Sequence, residues 1–261
     1  MKKIMLSVYN ILKDLIFSQK KIDKSKLPSQ GLFYKDDLNI FIKRAKEEDI
    51  NEYERNFVKN NLGLIIQKVK QIVENNIILS KGYLFEDLKS IDVVFIFLEI
   101  VKYTKNQSIV INYVDEINNK LDDIEFNQTT FNYHKLSDEV MKNYNREEKN
   151  FKLNGYTYTL PSIGVENSLT FFLFHKSTSQ DSHVYQNLFY DFTYFVGDKN
   201  FLTFQEIENL IQIFNQDIEK EELEKVKKTL EVFIPLQKYS LIKDGKEIDI
   251  NSKIDLENIW K

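Results

Sequence analysis

Two histidines eight residues apart, His175 and His183, flank the polar segment KSTSQDS, which carries Asp181. Imidazoles at that spacing with a carboxylate could ligate a metal ion or move protons near neutral pH. Two histidines without further His or Cys make a weak metal site, however, and the same residues read as caps on a polar loop between helices. His134, in FNYH, reads as a satisfied histidine in a strand-like segment. Acids recur in pairs: Asp36-Asp37, Glu47-Glu48-Asp49, Asp122-Asp123 and Glu221-Glu222. A glycosidase uses two carboxyl groups that the fold brings together, but neighbouring acids in charge-rich segments favour solvated faces. EKEELEKVKK, with opposite charges four apart, is such a face. The glycines are too scattered for a phosphate-cradling loop, and neither GxSxG nor HExxH nor a calcium-binding loop occurs. No catalytic, cofactor-binding or metal-ligating residue is assigned on this reading.

Composition narrows the classes further. The 261 residues contain no cysteine, which excludes disulfides, thiolate metal sites and cysteine nucleophiles. Charged residues make up 29% of the chain with the signs interleaved, and the net charge is -4. That balance gives no general pull toward nucleic acid or an anionic membrane, and no basic stripe with interleaved aromatics is visible. Lys2 and Lys3 precede an apolar run, but Asn10, Lys13 and Asp14 interrupt it and no small-residue cleavage site follows. No stretch approaches the roughly 18 apolar residues of a membrane span. A cytosolic protein without cofactors is the expectation.

The elements that would position any site are mostly helical. Residues 3–17 fit an amphipathic helix, and QKKIDKSK reads as a linker after it. The segment LNIFIKR alternates as a half-buried strand. Helices are predicted to open at KEEDINEYE, to run over 62–78 and to form at SIDVVFIFLEIVKY, which Ser90 can cap and which is apolar on nearly every side. Short strands are predicted within 107–134, then a short helix and an exposed charged linker to about 149. Asn154-Gly155 and Asp244-Gly245, each between alternating apolar residues, call for type I′ hairpins. Aromatic-rich helices follow Pro161 and span 183–196, and Thr203 to Glu206 forms a capping box. A helix over 219–233 ends at Pro235. The expected architecture is α+β but predominantly helical, helical domains carrying short strands and β-hairpins. Its segments are 1–26 (helix and linker), 27–145 (α+β) and 146–261 (helical, with both hairpins).

The octet LPSQGLFY, residues 27–34, stands out in a chain with only 7 Gly and 3 Pro. Pro28 pre-sets φ, Gly31 permits a turn, and Leu27, Leu32, Phe33 and Tyr34 can anchor the loop on a core. Octet, strand, acidic helix start and LKSID, in that order, resemble the opening of the baseplate hub assembly family of contractile-tailed, T-even-type phages. In that family an LPS-x-G-x-x-Y segment precedes a strand and an acidic helix, and an L-x-x-x-D helix start follows, matched by Leu88 and Asp92. The resemblance covers about residues 27–105. It departs from the family at the Cys pair some relatives carry after the apolar helix, so no metal role is carried over.

The resemblance implies a non-enzymatic protein that promotes assembly of the baseplate central hub through contacts with other baseplate or hub proteins. Such a protein would work in the host cytoplasm during assembly. The alternative within the same system is a structural subunit residing in the virion baseplate. From other classes, a hydrolase whose carboxylates or His175 and His183 converge only in the fold, and a DNA-binding regulator, remain as rivals. Partner contact would fall on Pro28, Gly31, Phe33 and Tyr34, with the N-terminal helix and Trp260 behind them; each of these residues reads equally well as ordinary packing.

Overall fold

Alternating apolar residues and tight turns build the first sheet. The computed structural model describes residues 19–55, 62–115, 120–126, 131–132, 134–176, 201–216, 220–237, 240–249 and 259–260. Strand β1 (Gln19–Ile22) pairs antiparallel with β2 (Ile40–Lys43), which buries Ile40 and Ile42. Helix α1 (Glu47–Arg55) starts with three acids in its first turn, where they complement the helix dipole. Helix α2 (Leu62–Asn76) leads directly into β3 (Ile77–Leu79), which pairs antiparallel with the other edge of β2. Helix α3 (Val93–Lys105) buries eight of its residues, Val93, Phe95–Val101, and ends at Asn106 in the left-handed region at φ 53°. Its buried Glu99 receives Lys20 of β1 at 2.6 Å, which ties that edge strand onto the core.

Strands β4 (Ile109–Asp115) and β5 (Lys120–Phe126) form an antiparallel pair. The short β6 (Phe131–Asn132) is followed by a single helical turn capped by Ser137. Strands β7 (Tyr144–Asn145), β8 (Asn150–Leu153) and β9 (Tyr156–Tyr158) make a three-stranded sheet. The β8–β9 turn holds Asn154 at φ 50° and Gly155 at φ 84°, the positive pair a type I′ turn requires. Helix α4 (Ile163–Lys176) follows. Thr203 and Glu206 then exchange backbone and side-chain hydrogen bonds at the start of α5 (Phe204–Gln216). Helix α6 (Lys220–Leu230) runs into two short turns to Gln237. Strands β10 (Ser240–Lys243) and β11 (Lys246–Asp249) turn at Asp244 (φ 50°) and Gly245 (φ 75°), and β10 also pairs with β6.

The expectation of a predominantly helical chain is corrected by four small antiparallel sheets among the described residues. Three local readings account for the difference. QKKI, taken as linker, is a strand, because its pairing with β2 lies outside its own sequence window. The apolar run at 77–79 continues the helical pattern of α2 yet is recruited to the sheet edge. The charged linker after Met141 instead contributes Tyr144 and Asn145 to a sheet with β8. Ser90 does not cap α3: it opens a short 3-10 turn, and Asp92 is the capping position. Pro235 lies inside the last short turn rather than at a helix end. The predicted helices at 3–17 and 183–196 lie outside the described residues.

Among the described residues the apolar side chains collect in two larger cores and a small third one. The first gathers residues from Ile22 to Phe126 around α3, and adds Ile163, Leu241, Ile259 and Trp260. The second joins Phe33 to Leu136, Phe151, Tyr158, Leu160, Val226, Leu230, Phe233 and Leu236. The third lies between α4 and α5. Both large cores therefore draw on residues from either side of position 145. No described helix is long and apolar enough to cross a membrane.

Candidate functional site

The octet lies at the seam between the two large cores. Leu27 is extended, as a residue before proline prefers. Gln30 N–H then donates to the Leu27 carbonyl at 2.7 Å, and Leu32 N–H to the Ser29 carbonyl at 3.1 Å. The second of these turns has positive φ at both central residues, 55° at Gln30 and 71° at Gly31. A Cβ at Gly31 would sit 3.2 Å from the Lys24 carbonyl oxygen, so a side chain there would crowd the Lys24 backbone as well as strain φ. Gln30, a side-chain-bearing residue in that region, is held by its amide donating to the His134 carbonyl at 2.8 Å. The next two side chains diverge: Phe33 enters the second core and Tyr34 the first.

Beneath the turn is a buried polar cluster. Asp92 accepts from Ser29 N–H at 2.8 Å on one carboxylate oxygen and from the Tyr34 hydroxyl at 2.7 Å on the other. The same hydroxyl accepts from Lys89 N–H at 2.8 Å. Lys89 bridges to Ser162 in the backbone, and its ammonium lies 3.4 Å from the Thr159 hydroxyl. Ser29, Lys89, Asp92 and Ser162 are all buried. Burial pushes the Asp92 carboxyl up to about 6, against the downward pull of the Ser29 and Tyr34 hydrogen bonds and the Lys89 charge. Burial likewise pulls the Lys89 ammonium down to about 8, against the opposing charges of Asp92 and Asp87. The cluster brings together the two segments on which the family resemblance rests, 58 residues apart between Tyr34 and Asp92.

Of the residues singled out for partner contact, Pro28, Phe33 and Tyr34 are buried and Gly31 is half-buried. Phe33 stands 5.7 Å from the Phe151 ring. Trp260 is also buried, edge-on to Tyr53 at 6.4 Å and to Phe97 at 5.9 Å. All of these side chains face the chain's own interior. His175 falls in the last turn of α4, while Asp181 and His183 lie outside the described residues.

The acid pairs take separate partners. Asp36 pairs with Lys149 at 2.8 Å, and Asp37 accepts from the Tyr83 hydroxyl. Asp49 accepts from Asn75 and Asn76, Asp123 lies beside Lys243, and Glu222 accepts from the Tyr156 hydroxyl. His134 has a more suggestive setting. Its Nε2 lies 2.7 Å from the Ser240 hydroxyl and 2.9 Å from a Glu247 carboxylate oxygen, to which Ser240 donates. A nucleophilic triad needs hydroxyl and carboxylate on opposite ring nitrogens and an accessible hydroxyl. Here both groups meet the same nitrogen and Ser240 is buried, so the trio braces the segment after β6 against β10 and β11.

Among the described residues no group of three His, Asp or Glu side chains could hold a metal ion. A slot between α1 and α2, beside Asp49, Glu52 and Lys68, encloses about 10 Å³. A broad open groove of about 610 Å³ runs past Lys21, Asp23, Lys24, Gln30 and Asp36. Its charges are engaged locally: Lys24 donates to the Lys35 and Asp36 carbonyls, and Asp23 accepts from Ser25, which lowers its carboxyl. Sequence reasoning found the octet, the LKSID segment and His134, but not the burial of Lys89, the part played by Ser162 or the partners of His134. The partners of those residues are set by tertiary contacts with no local signature. No protein family, curated protein or solved structure matches the chain.

Proposed function

We propose that this chain is a non-enzymatic assembly protein of a contractile phage tail, promoting construction of the baseplate hub through protein contacts. The reading rests on the ordered resemblance of octet, strand, acidic helix and LKSID to the hub assembly family. One observation supports treating these segments as a unit: the Asp92 carboxylate receives both Ser29 N–H and the Tyr34 hydroxyl. The motif residues are therefore mutually dependent, and their spacing is what a single buried cluster needs. Because Phe33 and Tyr34 face inward, any hub contact falls on the surface that this cluster holds in shape, or on the octet after it opens.

A structural baseplate subunit is the second reading, and the same resemblance supports it. Mass spectrometry of purified virions beside infected-cell lysate separates the two. The assembly role predicts abundance in lysate together with hub proteins and absence from particles. Fixed copy number in the particle would make the chain a subunit. Failure to co-purify with tail proteins in either preparation would overturn both readings and reopen the hydrolase.

A further inference from the structure

We propose that the molecule has a built-in opening along the seam between its two large cores. The segments 136–162 and 226–236 swing as one unit away from the octet and the 88–92 turn; the first core stays intact, and the second loses only Phe33 and its half-buried neighbours Leu32 and Ile91. The inference does not rest on the assembly reading.

Three observations carry it. The two cores are separate apolar clusters, so parting them leaves the first packed and takes from the second only the octet and 88–92 residues at its edge. The polar links across the seam are Tyr144 hydroxyl to the Leu32 carbonyl, Lys149 to Asp36, Lys89 to Thr159, and Ser90 N–H to the Pro161 carbonyl. Water replaces such bonds at small net cost, whereas exposing apolar surface is expensive in proportion to area. Third, the seam buries an ammonium and a carboxylate, Lys89 and Asp92, and opening returns Lys89 to water and admits water toward Asp92.

The opposing cost falls mainly on Phe33, which must leave the face made by Phe151 and its neighbours Tyr144 and Phe233, with the half-buried Leu32 and Ile91 beside it. Any opening that unseats α3 instead exposes Phe95, Ile96, Phe97, Leu98, Ile100 and Val101 together. The seam is therefore the cheaper route, and it presents Phe33 to solvent.

The unaltered chain supplies the first test, by native-state hydrogen exchange. The Ser90 amide should exchange at least tenfold faster than the Phe97–Val101 amides of α3, with a weaker dependence on urea. Because the chain has no cysteine, thiol labelling gives an independent measure. Ser162→Cys, at a fully buried seam position, should react at least tenfold faster than Val101→Cys in the first core. Tyr34→Phe should accelerate exchange at Ser90 and leave the α3 amides unchanged. The proposal is overturned if Ser90 exchanges together with α3 at the same urea dependence, or if the two cysteines label at one common rate.

Discussion

Asp92 and Lys89 set the electrostatics of the seam, and the direction of each shift fixes a pH dependence. Burial raises the Asp92 carboxyl from 3.8 to about 6, so the folded chain holds that proton more tightly than the unfolded one. Its contribution to stability is full below 3.8 and lost as pH rises through about 6. Lys89 runs the other way: lowered from 10.5 to about 8, it contributes fully above 10.5 and loses that contribution as pH falls through about 8. The two groups together contribute least between those values, where both carry charge away from bulk water. Urea unfolding of the parent and of the Lys89→Met/Asp92→Asn double variant checks this. Their difference in stability, followed from about pH 4 to about pH 10, should pass through a minimum for the parent near neutrality. A flat difference, or a maximum there, would mean the pair is not desolvated as described. At the same scale, Phe33→Ala should cost about 3 kcal/mol, read as a lowered urea midpoint. An unchanged midpoint would place Phe33 outside the core and return it to the surface.

Single elements differ in how much of their structure is local, and glycine substitutions expose the difference. Gly31 and Gly155 both have positive φ, but a Cβ at Gly155 meets open space while one at Gly31 meets Lys24 backbone at 3.2 Å. Gly155→Ala should therefore cost about 1 kcal/mol from φ alone, and Gly31→Ala should cost more, lowering the melting temperature further. Equal losses would remove the close approach at the octet as a constraint. The same contrast explains which elements were legible in the sequence. Asn154-Gly155, Asp244-Gly245 and the Thr203–Glu206 box announce themselves because their geometry is complete within a few residues. β1 was not legible, since QKKI buries only Ile22 and depends on a strand about twenty residues away in the chain. β3 was hidden because Ile77–Leu79 prolongs the apolar pattern of α2, and periodicity alone does not separate a helix from a strand in so short a run. The octet was legible as an ordered loop from Pro28 and Gly31. Its function as a lid over a buried carboxylate was not, because Tyr34 and Asp92 meet only in three dimensions.

At the scale of the whole molecule, closure of the first core depends on a residue far along the chain. Trp260 fits edge-on between Tyr53 of α1 and Phe97 of α3, which themselves stack at 5.7 Å. Ile259 and Leu241 join the same cluster, so the end of the chain and the β10–β11 hairpin complete a core that residues 22–126 begin. This arrangement couples distant parts of the sequence into one cooperative unit, distinct from the seam. Trp260→Ala should remove about 3 kcal/mol, because a large ring leaves a cavity beside two fully buried aromatics. Trp260→Phe should recover most of that loss: it keeps ring contact and deletes an indole N–H that is buried with no hydrogen-bond partner among the described residues. Trp260 is the sole tryptophan, so its emission reports this core alone. Its urea transition should coincide with loss of helical circular dichroism and come after exchange at Ser90. Emission that changes in step with the seam would mean that the two cores open together, and a Trp260→Ala variant as stable as the parent would mean that the tail only rests on the core it is argued to close.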